Sequence, residues 1–338
     1  MTNVIIANIL AFCVFFSILM FVCFGGMDLG VGILMPFIKK KDRDIAISSI
    51  HPFWDVNETW LIMAAVFLIM GFTGLYGIFI KIFYIPVILL LGAITIRGCA
   101  LEFFHKNDDH KGAWSMALSV SSMAMVLIFG VFSGNLLNGF DFSIDLNQFN
   151  GSFFSLFNAI SLVTGIAMVL GFCLIGSIWL ACKTEHDLLL CAKKMAKRIS
   201  YFLIITLLVE IILLFYNQNA VEMILQFSIK LPIIISLFFV GFLSIFACIY
   251  LSGKNRPCLA LASSFVLVLS GLSTLLTITY PFILPPKIDI FESLRFTSSV
   301  HQFETLAIFM FLILVIFLFF FFKHYMVFRG KIKTPLKY

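Results

Sequence analysis

The chain carries little charge: Lys, Arg, Asp and Glu make up only 12% of its 338 residues, whereas hydrophobic residues make up 62%. Soluble domains carry about twice that share of charge, so the composition excludes an ordinary soluble protein. About 20 apolar residues are needed to cross a ~30 Å hydrocarbon core. Nine such crossings would leave only short connections and no sizeable soluble domain. The sequence therefore predicts an integral membrane protein.

Several common motifs are missing. The eight cysteines form no C-x-x-C pair and are expected to be small buried hydrophobes. There is no Walker A sequence, no dinucleotide-binding G-x-G-x-x-G and no nucleophile elbow. Residues 1–24 lack Lys and Arg, which excludes the basic start of a signal peptide and predicts a retained first span. The net charge of +6 comes from basic residues in short loops, so nucleic-acid binding is not expected.

Histidine is absent from the middle of every apolar run. All six histidines lie in loops or at the ends of the runs, whereas a haem inside a helical bundle needs axial ligands that project from within it. Methionines in the middle of the runs are expected to be packing residues. The sequence therefore predicts that this chain binds no haem, other cofactor or metal of its own.

Long apolar runs are what the chain does have. Because only a helix or a closed barrel satisfies its backbone in lipid, and barrel strands alternate in polarity, the continuous runs predict an all-α polytopic fold. The nine predicted transmembrane helices are 8–36, 55–74, 77–100, 113–134, 155–182, 199–216, 229–250, 257–282 and 303–325.

The basic residues predict how the chain is oriented. Nineteen of the 23 Lys and Arg residues fall in alternate loops and the C-terminal tail, on one face. By the positive-inside rule, the N-terminus is predicted to be outside and the C-terminus cytoplasmic. Span count and loop lengths further suggest, within a single membrane domain (1–338), a first four-helix unit (1–135), a second (155–282) and a ninth, additional helix (303–325).

Ionisable groups inside a membrane are costly, which makes them the first candidates for function. Asp28 lies in the inner part of the first helix, Arg97 near the inner end of the third, and Glu102 just beyond it. The second helix opens at the same face with Trp54, Asp55 and Glu58. These groups are predicted to gather in the cytoplasmic third of the bundle.

The spacing of two pairs of residues suggests how these ionisable groups are used. Gly26 and Gly30 lie four residues apart on one helix face, where they let another backbone approach and reach Asp28. Asp55 and Glu58 are three apart and are expected to share a face near a helix N-terminus, which favours their ionised forms. Two carboxylates at a membrane entrance are suited to proton uptake. In the alternative interpretation, Asp55 only caps its helix and Asp28 only pairs with Arg97.

Other residues are expected to be structural. Glu210, in the sixth helix, has no partner by spacing, and a facing hydroxyl or helix packing is favoured over transport. Aromatic residues near span ends are expected to be interfacial anchors; they are Trp54, Trp60, Trp114 and Tyr84. The Phe-rich end of the ninth helix, Phe317 and Phe319 to Phe322, is expected to face lipid.

Three segments resemble subunit II of the cytochrome bd type quinol oxidases: GGMDLGVGILMPF (25–37), HPFWDVNETWL (51–61) and IRGCALEF (96–103). The later segments GNLLNGF, TYPFILPP and SSVHQFETL agree with the same family, so the resemblance extends over the whole chain in order. Val56 and Thr59 depart from the commonest pattern, but neither change removes a titratable group.

The resemblance implies a bacterial inner-membrane heterodimer with a larger-role subunit I, which carries the b-type and d-type haems and the quinol site. A small accessory subunit and membrane lipid are further expected partners. The complex oxidises quinol, reduces dioxygen to water and contributes to the proton-motive force. In the family, the Asp of the W-D motif belongs to a proton path from the cytoplasm, which maps onto Asp55; Asp28 and Arg97 match two further motif positions. Trp54, Glu58, Gly26, Gly30 and Glu102 are expected to support that path.

Two other functions stay open from the residues. A proton-coupled secondary transporter would also place carboxylates among its helices, but at the bilayer midplane. A purely structural membrane subunit would use Asp28 and Arg97 only as a pair that joins helices.

Overall fold

A computed structural model describes residues 2–106, 108–140, 153–227, 229–286, 288–290 and 300–332. Among these residues, nine helices are long and apolar enough to cross a membrane, which confirms the predicted number and the all-α class. The orientation of the termini stays a prediction. "Inner" below refers to the face that the charge distribution predicts to be cytoplasmic.

The first span consists of α1 (Thr2–Met20), a π-helical turn (Phe21–Gly25) and α2 (Gly26–Leu34), without a break between them. The remaining helices are α3 (Arg43–Ile50), α4 (Trp54–Gly71), α5 (Thr73–Phe104), α6 (Lys111–Asn138), α7 (Ala159–Lys183), α8 (His186–Tyr216), α9 (Gln218–Leu225), α10 (Lys230–Gly253), α11 (Pro257–Thr279) and α12 (Val300–Val327). Short helical turns at Met35–Phe37, Lys40–Asp42, Asp108–His110 and Phe153–Leu156 lie in the connections.

The largest differences from the predicted helix bounds are in α8 and α5. The helix α8 begins at His186 rather than near 199, so Lys193, Lys194, Lys197 and Arg198 lie in its first turns and not in a loop. The helix α5 runs to Phe104, which places Glu102 inside it, and it bends at Phe83 because Pro86 cannot donate the helical hydrogen bond and its ring crowds the preceding turn. A small antiparallel hairpin of β1 (Phe282–Leu284) and β2 (Ile288–Asp289), together with the short helices α3 and α9, was not predicted.

The long helices contact one another in two rings. In the first ring α1 packs on α4, α4 on α5, α5 on α6, and α6 on α2; in the second, α7 packs on α8, α8 on α10, α10 on α11, and α11 on α7. The rings meet where α2 and α6 pack on α7, and α12 lies against α1 and α4. These are the contacts that two four-helix units and a ninth helix require, although the division of the chain into such units stays a prediction.

The core that results is mainly apolar, with aromatic pairs between helices. Trp60 is fully buried, so its expected role as an interfacial anchor is wrong; its ring lies 4.8 Å from Phe317 and 5.3 Å from Phe321, measured between centroids. Phe321 is likewise fully buried rather than lipid-facing, whereas Phe319, Phe320 and Phe322 are exposed, as expected. Cys99 and Cys258 are exposed, contrary to the prediction of buried cysteines.

Candidate functional site

Asp28, Glu58 and Arg97 come together in one buried ionic cluster between α2, α4 and α5. The Arg97 side chain is 0% exposed and its Nη2 lies 2.9 Å from Oδ1 of Asp28, which is 1% exposed. This contact is an ion pair whose angle is too poor for a hydrogen bond. The Nη1 atom of Arg97 donates to Oε1 of Glu58. One guanidinium therefore holds two carboxylates.

Asn57, which the sequence did not single out, completes the shell around Asp28. It follows Asp55 on α4 and is fully buried. Its Nδ2 donates to Oδ2 of Asp28 at 2.9 Å and to the carbonyl oxygen of Phe24 at 3.1 Å. Phe24 belongs to the π-helical turn that directly precedes α2. Such turns often occur at functional sites, and here the turn presents its carbonyl to the group that binds Asp28.

Tyr325, on α12, is the second residue that the sequence analysis missed. Its hydroxyl donates to Oδ1 of Asn57 at 2.8 Å. The signal was present as a tyrosine just past the Phe-rich run, but only tertiary packing brings the end of α12 to α4. We refer to Asp28, Asn57, Glu58, Arg97 and Tyr325 together as the Arg97 cluster.

Asp55 lies apart from the Arg97 cluster. Its side chain is exposed, whereas Glu58, one turn later on α4, is 8% exposed and bonded to Arg97. The two carboxylates are neighbours by helical spacing, but they differ in burial. The residue before α4 is Phe53, with no capping side chain, and Asp55 lies inside the first turn. The alternative role of Asp55 as the cap is therefore wrong. Helix α4 therefore carries one exposed carboxylate, Asp55, and one buried carboxylate, Glu58.

Trp54 and Glu102 flank the cluster. The half-buried Trp54 ring lies over the Arg97 guanidinium, with 6.0 Å from Cζ to the ring centroid. Glu102 is instead paired with His51 at 3.6 Å and Lys106 at 3.5 Å. Burial lowers the pKa of His51, and the Glu102 carboxylate opposes that shift. Glu102 thus ties the inner end of α5 to the turn before α4.

The glycines of α2 contact a different neighbour from the one that reaches Asp28. A Cβ at Gly30 would lie 1.9 Å from the carbonyl oxygen of Phe172, and one at Gly176 would lie 2.4 Å from the Gly30 carbonyl carbon. A Cβ at Gly26 would meet Ile175 at 2.9 Å. The predicted close approach of backbones is confirmed, but the partner is α7. Asp28 is reached from α4 and α5, so the expected link between glycine face and carboxylate was wrong.

Glu210 has the facing hydroxyl that the sequence analysis favoured. Thr164 Oγ1, on α7, donates to Oε1 of Glu210 at 2.7 Å. Both residues line an apolar cavity of about 210 Å³ within the second ring of helices. Among the described residues, no group of three or more His, Cys, Asp and Glu side chains is arranged to hold a metal ion.

The chain is similar to known proteins of one family. Residues 6–328 match the family model described as cytochrome bd terminal oxidase subunit II. A Haemophilus influenzae protein named probable cytochrome oxidase subunit 2 is 35% identical over 170 residues, covering 48% of this chain and 45% of that protein. Cytochrome bd-I ubiquinol oxidase subunit 2 of Escherichia coli strain K12 is 32% identical over 170 residues, which again cover 48% of this chain and 45% of that protein.

A third relative and a solved structure extend the similarity. Cytochrome bd ubiquinol oxidase subunit 2 of Bacillus subtilis is 28% identical over 218 residues, 63% of this chain and 64% of that protein. The matches thus span from about half to two thirds of these relatives. A chain of the bd oxidase from Geobacillus thermodenitrificans shares the fold, with a TM-score of 0.77, 14% identity and coverage of 96% of this chain and 99% of that one. The nine apolar helices found among the described residues and these similarities support a multi-pass protein of the bacterial inner membrane.

Proposed function

Because the chain belongs to the cytochrome bd terminal oxidase subunit II family, we propose that it is the non-haem subunit of a bacterial quinol oxidase. In this role it supports a haem-bearing subunit I and supplies that subunit with protons from the cytoplasm. The complex would oxidise quinol to quinone and reduce dioxygen to water. The observation that carries the proposal is the pairing, on one turn of α4, of exposed Asp55 with buried Glu58 in the Arg97 cluster.

The described histidines do not fit a haem within this chain. His51 precedes α4, His105 follows α5, His110 precedes α6, His186 begins α8, His301 lies at the start of α12 and His324 near its end. None of these described positions gives a pair of axial ligands facing each other across the middle of the bundle. We therefore assign the b-type and d-type haems and the quinol to the partner subunit, and no step of the proposed mechanism in this chain passes through them.

The proposed proton entry begins at Asp55. Three residues along a helix correspond to about 4.5 Å of rise, so a single water molecule could connect the Asp55 and Glu58 carboxylates. Arg97 then joins Glu58 to Asp28. Two ionised carboxylates and one guanidinium leave one uncompensated negative charge in a buried site, where such charge is costly. The Arg97 cluster can therefore accept one proton and become neutral, as a relay on the way to subunit I requires.

Replacement of Asp55 tests this entry. In the complex purified with its native partner, Asp55→Asn should slow oxygen consumption by about 100-fold, the lower end of the range for a lost proton-transfer group. The haem absorption spectrum should not change, since the variant removes no haem ligand. Asp109→Asn, an exposed carboxylate before α6, is the matched control and should leave turnover intact. Unchanged turnover and proton uptake in Asp55→Asn would remove the role of Asp55.

A proton-coupled secondary transporter is the second candidate, because it also needs buried carboxylates. The position of the Arg97 cluster argues against it: Asp28 and Arg97 lie in the inner thirds of their spans, whereas a central substrate site would lie at the midplane. Purification from the native membrane separates the two functions. Haem absorption bands with a tightly bound second subunit support the oxidase, and a chain that is active without either supports the transporter.

A further inference from the structure

The inner end of α12 lies directly over the Arg97 cluster. Tyr325 donates its hydroxyl to Asn57 Oδ1, and Asn57 Nδ2 donates to Asp28 Oδ2, at 2.8 and 2.9 Å. A continuous line of two hydrogen bonds therefore joins α12, through α4, to the buried carboxylate of α2. Nothing in the proton entry at Asp55 and Glu58 requires this line.

Aromatic packing fixes the Tyr325 ring. Its centroid lies 4.6 Å from that of Phe53, 4.8 Å from Phe321 and 5.1 Å from Phe24. These neighbours come from the turn before α4, from α12 and from the π-helical turn. Tilted and edge-on contacts of this kind favour a defined ring orientation, so the hydroxyl is held toward Asn57 rather than free to find another partner.

The segment around Tyr325 is anchored by contacts that do not involve its hydroxyl. His324 Nε2 lies 2.6 Å from the carbonyl oxygen of Pro52. Lys183 Nζ donates to the carbonyl oxygen of Phe328 at 2.8 Å, and the Ile332 backbone N–H donates to the Lys183 carbonyl at 2.8 Å. Removal of the Tyr325 hydroxyl alone should therefore leave this segment in place.

The hydroxyl satisfies the one polar atom of the Asn57 side chain that Asp28 and Phe24 do not. A side-chain amide has one acceptor oxygen and one donor nitrogen. The Phe24 carbonyl can only accept, so it turns the nitrogen of Asn57 toward itself and Asp28, and the amide oxygen is left for Tyr325. Without the hydroxyl this buried oxygen loses its partner, which is costly in a buried site. The amide is then held less firmly, and its N–H bond to Asp28 is weakened.

We propose that Tyr325 is a positioning residue for the proton path: by fixing the amide of Asn57, it keeps an N–H donor on Asp28 and so sets how readily Asp28 releases a proton. The inference rests on the proposed function and deepens it. The charged and titratable groups around this line are Asp28 on α2, Glu58 on α4, Arg97 on α5, Lys183 on α7 and His324 on α12. Of these, only Asp28 bonds to Asn57.

The test uses Tyr325→Phe in the complex with its native partner. The pH profile of oxygen consumption should shift toward higher pH by about 0.5 to 1 unit, the size expected from loss of one hydrogen bond. The infrared carboxyl band that disappears in Asp28→Asn should change position in Tyr325→Phe. Tyr250→Phe, on the exposed face of α10, should alter neither readout. His324→Ala, which loosens the segment but keeps the hydroxyl, should leave the Asp28 band in place.

The double variant Asp28→Asn/Tyr325→Phe separates the possible results. The inference is supported if the pH shift vanishes in the Asp28→Asn background. It is overturned if Tyr325→Phe leaves the profile and the Asp28 band unchanged, or if the shift persists without Asp28. Should Asp28→Asn and Asp55→Asn both retain normal turnover and proton uptake, the proton path itself fails, whatever happens to the infrared band.

Discussion

The Nη2 atom of Arg97 lies 2.9 Å from Oδ1 of Asp28, and the two side chains are 0% and 1% exposed. Arg97 holds Glu58 with its other terminal nitrogen, so this single cation contacts both acids of the site. A buried charge that loses its partner is strongly destabilising, whereas a buried pair replaced as a whole can be nearly neutral. A single substitution that removes one charge should therefore destabilise the cluster, whereas replacement of all its charged residues together should cost little stability.

Arg97→Met should destabilise the protein by about 3–5 kcal/mol, because it leaves Asp28 and Glu58 facing each other without a cation. Thermal unfolding of the detergent-solubilised complex measures the loss. The triple variant Asp28→Asn/Glu58→Gln/Arg97→Met removes all three charges and should recover most of the stability while staying inactive in proton delivery. A triple variant no more stable than Arg97→Met would contradict the charge argument.

Gly30→Ala should destabilise the packing of α2 on α7. The added Cβ would lie 1.9 Å from the Phe172 carbonyl oxygen, which is a backbone atom and cannot move without displacing the helix. Overpacking of this kind costs about 1–3 kcal/mol or more. The yield and thermal stability of the solubilised protein report the effect. Gly92→Ala, where a Cβ has open space, is the control, and equal stability of the two variants would refute the prediction.

The sequence predicted the number of spans well because a helix that crosses lipid needs a continuous apolar run of about 20 residues. It also predicted that Asp28, Glu58 and Arg97 share one level of the membrane, since each lies near an end of its span. It could not predict which carboxylates Arg97 contacts. Helical spacing gave Asp55 and Glu58 one face, but only the position of α5 decides that Glu58 points to Arg97 while Asp55 is exposed.

The residues that were missed depend on contacts between distant parts of the chain. Asn57 is an ordinary polar residue in its local sequence, and it becomes part of the site because the π-helical turn offers the Phe24 carbonyl. Phe321 was expected to face lipid and Tyr325 was not singled out, since composition does not reveal which side of α12 contacts α4. The sequence predicts where helices form. It does not predict how each helix is rotated about its own axis, which decides the residues that contact a neighbouring helix.

Thr164→Val should destabilise the second ring of helices without slowing oxygen consumption by the proposed complex. The Thr164 hydroxyl donates to Oε1 of Glu210 at 2.7 Å, and a buried polar group deprived of its hydrogen bond costs about 1–3 kcal/mol. Thermal unfolding checks the stability, and oxygen consumption checks the activity. Thr164→Val/Glu210→Leu, which replaces both partners by apolar groups, should regain part of the loss. A fall in turnover at unchanged stability would instead place Glu210 in the reaction.

His51 should make the stability of the inner surface depend on pH. Burial lowers the pKa of His51 in the folded protein below its unfolded value, which is about 6.5. The unfolded state therefore binds more protons in the window below about 6.5. The stabilising contribution is complete above that pH and is lost as the pH falls toward the folded pKa.

Comparison of His51→Gln with the unchanged protein from pH 8 to pH 5 isolates this contribution. The difference in unfolding temperature between the two should change only as the pH falls below about 6.5, because the unfolded histidine titrates there. Glu102 opposes the lowering of the pKa, so Glu102→Gln should steepen the acid loss by removing the carboxylate that attracts protonated His51. A His51→Gln variant with the same pH dependence as the unchanged protein would show that His51 is not the group responsible.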